Sequence, residues 1–183
     1  MTEKEKMLSG QLYLANDSQL KAERAHNQRR LRRYNRLLPC QSNTRYRQIK
    51  KVFSKVGPNC SVYPPFYCDY GYNIQVGDNF FANRNCTILD IAPVFIGNNV
   101  MLGPGVVILA ASHPLDYSLR KIGYGLGFPV TIGDNVWIGA GSIINPGVQI
   151  GNNTVIGLGS IVTKDIPSNV IVAGNPCRVI RSI

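Results

Sequence analysis

The chain has 183 residues, enough for one domain with an appendage, and its 44% apolar content is that of a globular protein. No apolar run reaches the roughly 18 residues of a membrane-spanning helix, and the charged N-terminus lacks the apolar stretch of a signal peptide. The formal net charge of +10 is confined to residues 1–55, which hold 14 Lys+Arg and 4 Asp+Glu, whereas residues 56–183 hold 6 of each.

That basic segment reads as a helical N-terminal cap over residues 1–55. Asp17-Ser18 can cap a helix running to about Leu38, where Pro39 stops it. Ser42 or Asn43 can cap a second, with Tyr46, Ile49, Phe53 and Val56 at helical spacing and Gly57 beyond its end. The run Gln28–Arg36 carries five Arg and admits two readings. One is a nucleic-acid surface. The other is a solvated helix face with Leu31, Tyr34, Leu37 and Leu38 packed beneath it, and the absence of any recognised nucleic-acid motif favours this one. Part of the charge can also steer an anionic cofactor.

From residue 56 the chain counts in sixes. Val56, Val62 and Cys68 open one set of three blocks, Val76, Ala82 and Ile88 a second, and Ile96, Leu102 and Ile108 a third. Ile132, Ile138, Ile144, Ile150, Ile156 and Val162 continue the count. Four places after each of these last openers stands a small or branched residue: Val136, Ser142, Val148, Thr154, Ser160 and Ile166. A two-residue spacer, Ile74-Gln75 and then Val94-Phe95, separates the early sets. Three sixes suit one turn of a three-sided β-coil with openers and their i+4 partners pointing inward. Corner dipeptides such as Asp78-Asn79, Asn98-Asn99, Asp134-Asn135 and Asn152-Asn153 supply the turns. At about 4.8 Å per stacked strand, five coils make a prism about 24 Å tall.

Residues 114–131 break the count and read as an extruded loop with His113 at its root. Its Tyr and Phe residues favour packing over disorder. Only two histidines exist. His26 lies in the basic helix. His113, at a loop mouth, suits general-base work because its ordinary pKa is near neutrality. The serines at 142 and 160 are explained by the repeat, so no Ser–His–Asp triad is readable. Cys40, Cys60, Cys68, Cys86 and Cys177 form no C-x-x-C pair, which argues against a disulfide framework or a zinc site and for a reducing, cytoplasmic setting. Three of them, Cys60, Cys68 and Cys86, fall on inward slots.

Several segments together resemble the maltose and galactoside O-acetyltransferases of the hexapeptide-repeat superfamily. They are Met7–Tyr13, Cys68–Ile74, Asn79–Asn83, Leu89-Asp90, Ser112–Asp116, Val136–Gly139, Ile144–Gly147, Val162–Asp165 and Gly174–Arg178. The resemblance covers nearly the whole chain and implies a left-handed parallel β-helix over residues 56–183, assembled as a homotrimer with active sites between subunits. General chirality rules would favour right-handed crossovers, so the left hand rests on the resemblance. It further implies acetyl transfer from acetyl-CoA to a sugar hydroxyl, with no metal and no membrane partner.

Residue roles follow by matching position. His113 matches the family's base and Asn83 the residue that contacts the acceptor. Ala140, Leu158, Thr163, Lys164, Arg178 and Arg181 match the CoA site, with Lys164 and the arginines suited to phosphates. Asp69 and Asp90 are expected near the acceptor. A backbone N–H between Ala140 and Ser142 is expected to receive the oxyanion, and Trp137 to shape the cleft. Ala15 and Ile91 stand where galactoside enzymes carry acidic residues, and Asp69 where they carry Ser, so the chain is closer to the maltose branch. Two alternatives are a xenobiotic O-acetyltransferase acting on an antibiotic hydroxyl, and a non-catalytic scaffold or nucleic-acid-binding protein using the basic helix.

Overall fold

The computed structural model describes residues 1–183. The hexads form strands of two to five residues on the three sides of a left-handed parallel β-helix. The first side stacks Lys55–Val56, Ile74–Val76, Val94–Ile96, Val130–Ile132 and Gln149–Ile150, and an Ile150–Ile166 bridge adds a sixth level. On the second side are Ser61–Val62, Phe81–Ala82, Met101–Leu102, Trp137–Ile138, Val155–Ile156 and Val170–Gly174. Phe66–Cys68, Cys86–Leu89, Val107–Leu109, Ile143–Ile144 and Ile161–Val162 form the third. There are thus five full coils and two sides of a sixth. The hairpin strand Cys177–Ser182 runs antiparallel to Val170–Gly174 and ends the coil.

Openers and their i+4 partners point inward, as the period requires. Ile88, Ile108, Ile138, Ile144, Ile156 and Val162 are fully buried, as are the partners Phe80, Val100, Ser142, Thr154 and Ser160. Burying one such aliphatic side chain contributes about 1.5–3 kcal/mol, and the prism repeats that gain at every level. The polar partners are satisfied. Ser142 and Ser160 both donate their hydroxyls to the Gly157 carbonyl, at 3.0 and 2.5 Å. Cys60, Cys68 and Cys86 are buried free thiols, and those of Cys60 and Cys86 donate to the Gly77 and Gly103 carbonyls.

The corner between the first and second sides is a ladder of asparagines. Asn59, Asn79, Asn99, Asn135, Asn153 and Asn169 all hold φ between +53° and +63°, a region that Asn tolerates better than other residues with a Cβ. Each amide donates to the next, for example Asn79 to Asn99 at 2.8 Å and Asn135 to Asn153 at 2.9 Å. Close stacking also demands glycine: a Cβ on Gly139 would lie 2.5 Å from the Leu158 nitrogen one coil above.

Four helices lie outside the count: α1 (Glu3–Leu8), α2 (Ser18–Tyr34), α3 (Ser42–Ile49) and α4 (Tyr117–Ile122). Asp17 caps α2 as expected, through Leu20 N–H. The helix ends at Tyr34 rather than near Leu38. Beyond it Asn35 both donates to the Phe66 carbonyl and accepts the Phe66 N–H, which ties that turn to the prism. Leu31 and Tyr34 are buried beneath the basic run, whereas Leu38 is exposed. The second helix stops at Ile49, and its N-cap is Gln41 rather than Ser42 or Asn43. Val56 is not helical because Lys55–Val56 pairs with Gln75–Val76 in the first coil. The extruded loop rejoins the ladder earlier than expected. Val130-Thr131 pairs with Val94-Phe95 and is a third copy of the two-residue spacer.

Candidate active site

The nominated residues fall into two columns on different corners of the prism. One runs up the corner after the second side. Hydrogen bonds from Asn83 N–H to the Leu102 carbonyl, Gly103 to Ile138, and Gly139 to Ile156 stack Asn83, Gly103-Pro104, Gly139-Ala140 and Gly157-Leu158. Beside this column the outward residues Phe81, Met101, Trp137 and Val155 complete a groove of about 440 Å³. Asn83, Ala140 and Leu158, which the family resemblance pointed to, line this one groove together with Trp137. Leu158 is 79% exposed there, open to a ligand. The N–H groups of Gly141 and Ser142 donate to the carbonyls of Pro104 and Gly139, leaving that of Ala140 as the unengaged donor of the three. Arg178 and Arg181 are exposed on the terminal hairpin, in register with Ala173 and Ile171 at the top of the second side.

The other column follows the third side. Asp69 comes first, after Phe66–Cys68, and Thr163 and Lys164 come last, after Ile161–Val162, both exposed. Between these levels the chain leaves the coil through Ala111–Ser112 to His113. The extruded loop returns as Tyr124–Gly127, pairing with Ala111–Ser112 on one edge and Tyr13–Leu14 on the other. Neither this three-stranded sheet nor α4 was expected from sequence, whereas α1 falls within the helical segment expected over residues 1–55. The period-2 pattern of Tyr124 to Gly127 was the available signal, weakened by its two glycines. His113 is exposed, with Nδ1 3.4 Å from the Tyr124 carbonyl oxygen.

Asp90 corrects the sequence expectation of acceptor contact. It is wholly buried. Its carboxylate accepts N–H groups from Asp69 (3.0 Å), Tyr70 (2.9 Å) and Asn73 (3.3 Å), so no oxygen faces a ligand. Burial pushes this carboxyl up to about 7, against the pull of those donors. It holds the turn that carries Asp69. Asp69 itself is half-buried; burial raises its carboxyl and the nearby Arg24 guanidinium lowers it. Arg24 donates to the Tyr70 hydroxyl (2.5 Å) and the Ala15 carbonyl (2.6 Å). Ala15 and Ile91 belong to one apolar cluster with Met7, Tyr13, Leu20 and Tyr70.

Comparison with known proteins agrees along the whole chain. Residues 6–57 match the maltose acetyltransferase hexapeptide capping motif, and residues 129–164 match the bacterial transferase hexapeptide (six repeats). Galactoside O-acetyltransferase of Escherichia coli (strain K12) is 47% identical over 179 residues, covering 98% of this chain and 88% of that protein. A maltose O-acetyltransferase from Clostridium difficile 630 superposes with a TM-score of 0.98 at 53% identity, covering 100% of this chain and 98% of that one. A galactoside acetyltransferase in complex with coenzyme A superposes with a TM-score of 0.95 at 47% identity, covering 100% and 92%. The chain is an acetyltransferase and belongs to the maltose/galactoside O-acetyltransferase family of hexapeptide-repeat enzymes.

Proposed function

We propose that the protein moves an acetyl group from acetyl-CoA to a hydroxyl of a glucosyl sugar such as maltose, in clefts shared between the subunits of a homotrimer. One observation carries this reading: the chain presents Asn83, Ala140 and Leu158 on one corner and His113, Thr163 and Lys164 on another. A cyclic trimer that sets the second corner of each copy against the third corner of the next joins the columns three times over.

Within such a cleft the groove beside Trp137 takes the pantetheine arm of acetyl-CoA, and Lys164, Arg178 and Arg181 take its phosphates. Asn83 and Asp69 orient the acceptor. As the sugar oxygen attacks the thioester carbon, His113 Nε2 takes its proton. The Ala140 N–H donates to the developing oxyanion. Collapse of the tetrahedral intermediate breaks the C–S bond, and the imidazolium returns the proton to the departing thiolate. No covalent acyl-enzyme is needed. The apolar surroundings of Ala15 and Ile91 support a neutral acceptor ring at this wall, and the similarity to a maltose O-acetyltransferase supports a glucosyl one.

Mixing two inactive variants tests the arrangement. His113→Ala and Asn83→Ala chains, co-expressed, form hybrid trimers in which a fraction of clefts draws both intact residues. With random assembly about a quarter of wild-type activity returns. No recovery in trimers shown to be mixed would place both residues in a single-chain site and reject the reading.

A further inference from the structure

The five arginines of the run Gln28–Arg36 have no acidic partner: the ion pairs in the structure are Lys4–Glu23 and Lys6–Glu3. Two of the five, Arg32 and Arg36, line a cleft of about 630 Å³ between α2 and the third side of the prism. Its other wall is Tyr67 and Leu89, and it ends at Asp69. Tyr67 is 50% exposed there, an outward aromatic face.

The helix lies along this wall in a fixed register. Asn35 bonds Phe66 at one end. Asn27 donates to the Cys68 thiol (3.3 Å) and the Asp69 carbonyl (3.1 Å) in the middle. Arg24 reaches Tyr70 at the other end. With Asn27 and Asn35 engaged by the backbone, Arg32 and Arg36 are left pointing to the cleft with free guanidinium donors. From Arg24 to its last residue, Tyr34, the helix rises about 15 Å, more than the length of one sugar ring. At the Asp69 end the cleft joins the column that leads to His113, because Leu89 pairs in register with Leu109 on the strand before it.

We infer that this cleft binds the distal part of an acceptor larger than one sugar, and that the distal part is anionic. The deduction rests on the acetyl-transfer reading above, since it places the reacting sugar at Asp69 and His113. Tyr67 and Leu89 offer an apolar floor on which a second ring stacks. Arg32 on α2 and Arg36 just past its end offer two planar donor forks, the geometry that suits a phosphate or carboxylate oxygen pair. A neutral oligosaccharide needs no such pair.

The test uses the whole protein, saturated with acetyl-CoA, and three acceptors of one size: maltose, maltose 6′-phosphate and a glucuronosyl-glucose. Steady-state kinetics and direct titration calorimetry are run on wild type and on Arg32→Gln/Arg36→Gln. The expected result is a lower KM for at least one anionic disaccharide than for maltose, and a rise of about tenfold in that KM in the double variant, against less than about twofold for maltose. Phosphate alone responding identifies a phosphorylated acceptor; both responding identifies a general anion site. Equal effects on all three sugars, or on none, overturn the inference. So does a raised KM for acetyl-CoA with sugar KM unmoved, which would hand the arginines to the donor. If no sugar is acetylated but the anionic disaccharide binds by calorimetry and loses binding in the double variant, the acetyl-transfer reading fails while the anion site stands. Circular dichroism confirms that the exposed substitutions leave the fold in place.

Discussion

His113 and Tyr124 face each other across the root of the extruded loop, with Nδ1 of the ring 3.4 Å from the Tyr124 carbonyl oxygen. A carbonyl can only accept, so the contact favours a proton on Nδ1 and leaves the Nε2 lone pair free. The loop thus supports His113: Tyr124–Gly127 is held between Ala111–Ser112 and Tyr13–Leu14, and the ring is oriented by backbone rather than by a carboxylate.

Replacing His113, the proposed base, is expected to separate chemistry from binding. His113→Ala should lower kcat by roughly 10²-fold or more, the usual size of general-base assistance. Coenzyme A affinity, read by calorimetry, should be retained. A variant turning over within about threefold of wild type would remove His113 from this role.

The proposed phosphate contacts predict a selective loss. Lys164→Ala and Arg178→Ala should each raise KM for acetyl-CoA about fivefold, the size of an exposed charge pair, and leave acetyl-pantetheine nearly untouched. The loss should shrink as salt rises, since exposed pairs are screened. Equal weakening of both donors would assign these cations to the fold or to the pantetheine arm.

Asp90 predicts a pH dependence of stability. Its carboxyl is raised to about 7 in the fold and is near 3.9 in an unfolded chain. Between those values the folded state holds a proton that the unfolded state has released. Its contribution is therefore full below about pH 4 and is lost as pH rises through about 7. Urea midpoints of the wild type should fall between pH 5 and pH 8, and Asp90→Asn should flatten that slope. An unchanged slope in the variant would mean that the three N–H donors keep Asp90 ionised throughout.

The asparagine ladder predicts an unusual ranking of substitutions. At Asn135, with φ of +57°, alanine must adopt the left-handed region at about 1–2 kcal/mol. Glycine adopts it freely and loses only the ladder hydrogen bonds, each about 0.5–1.5 kcal/mol. Asn135→Gly should therefore be more stable than Asn135→Ala in thermal unfolding, the reverse of the order in an ordinary strand.

The period of six was written in the residues because each level buries the same slots. Ile138, Ile144 and Ile150 can recur only if the backbone winds with that repeat, and a stacked coil repeats one local solution. Asn83, Ala140 and Leu158 came from the family resemblance; the period accounts only for the recurrence of Gly139-Ala140 and Gly157-Leu158 at one corner. What lay outside the period was not legible. The spacer Val130-Thr131 was hidden in the loop because only its pairing with Val94-Phe95 marks it. Asp90 looked like a site residue, since sequence does not show that three backbone N–H groups converge on it. The arginines of α2 read as a solvated face, and Leu31 and Tyr34 do pack beneath them. Local propensity and period are properties of neighbours in the chain. Only the folded structure decided that Arg32 and Arg36 share a cleft with Tyr67 and Asp69, because non-local contacts set by docking α2 on the third side bring them together.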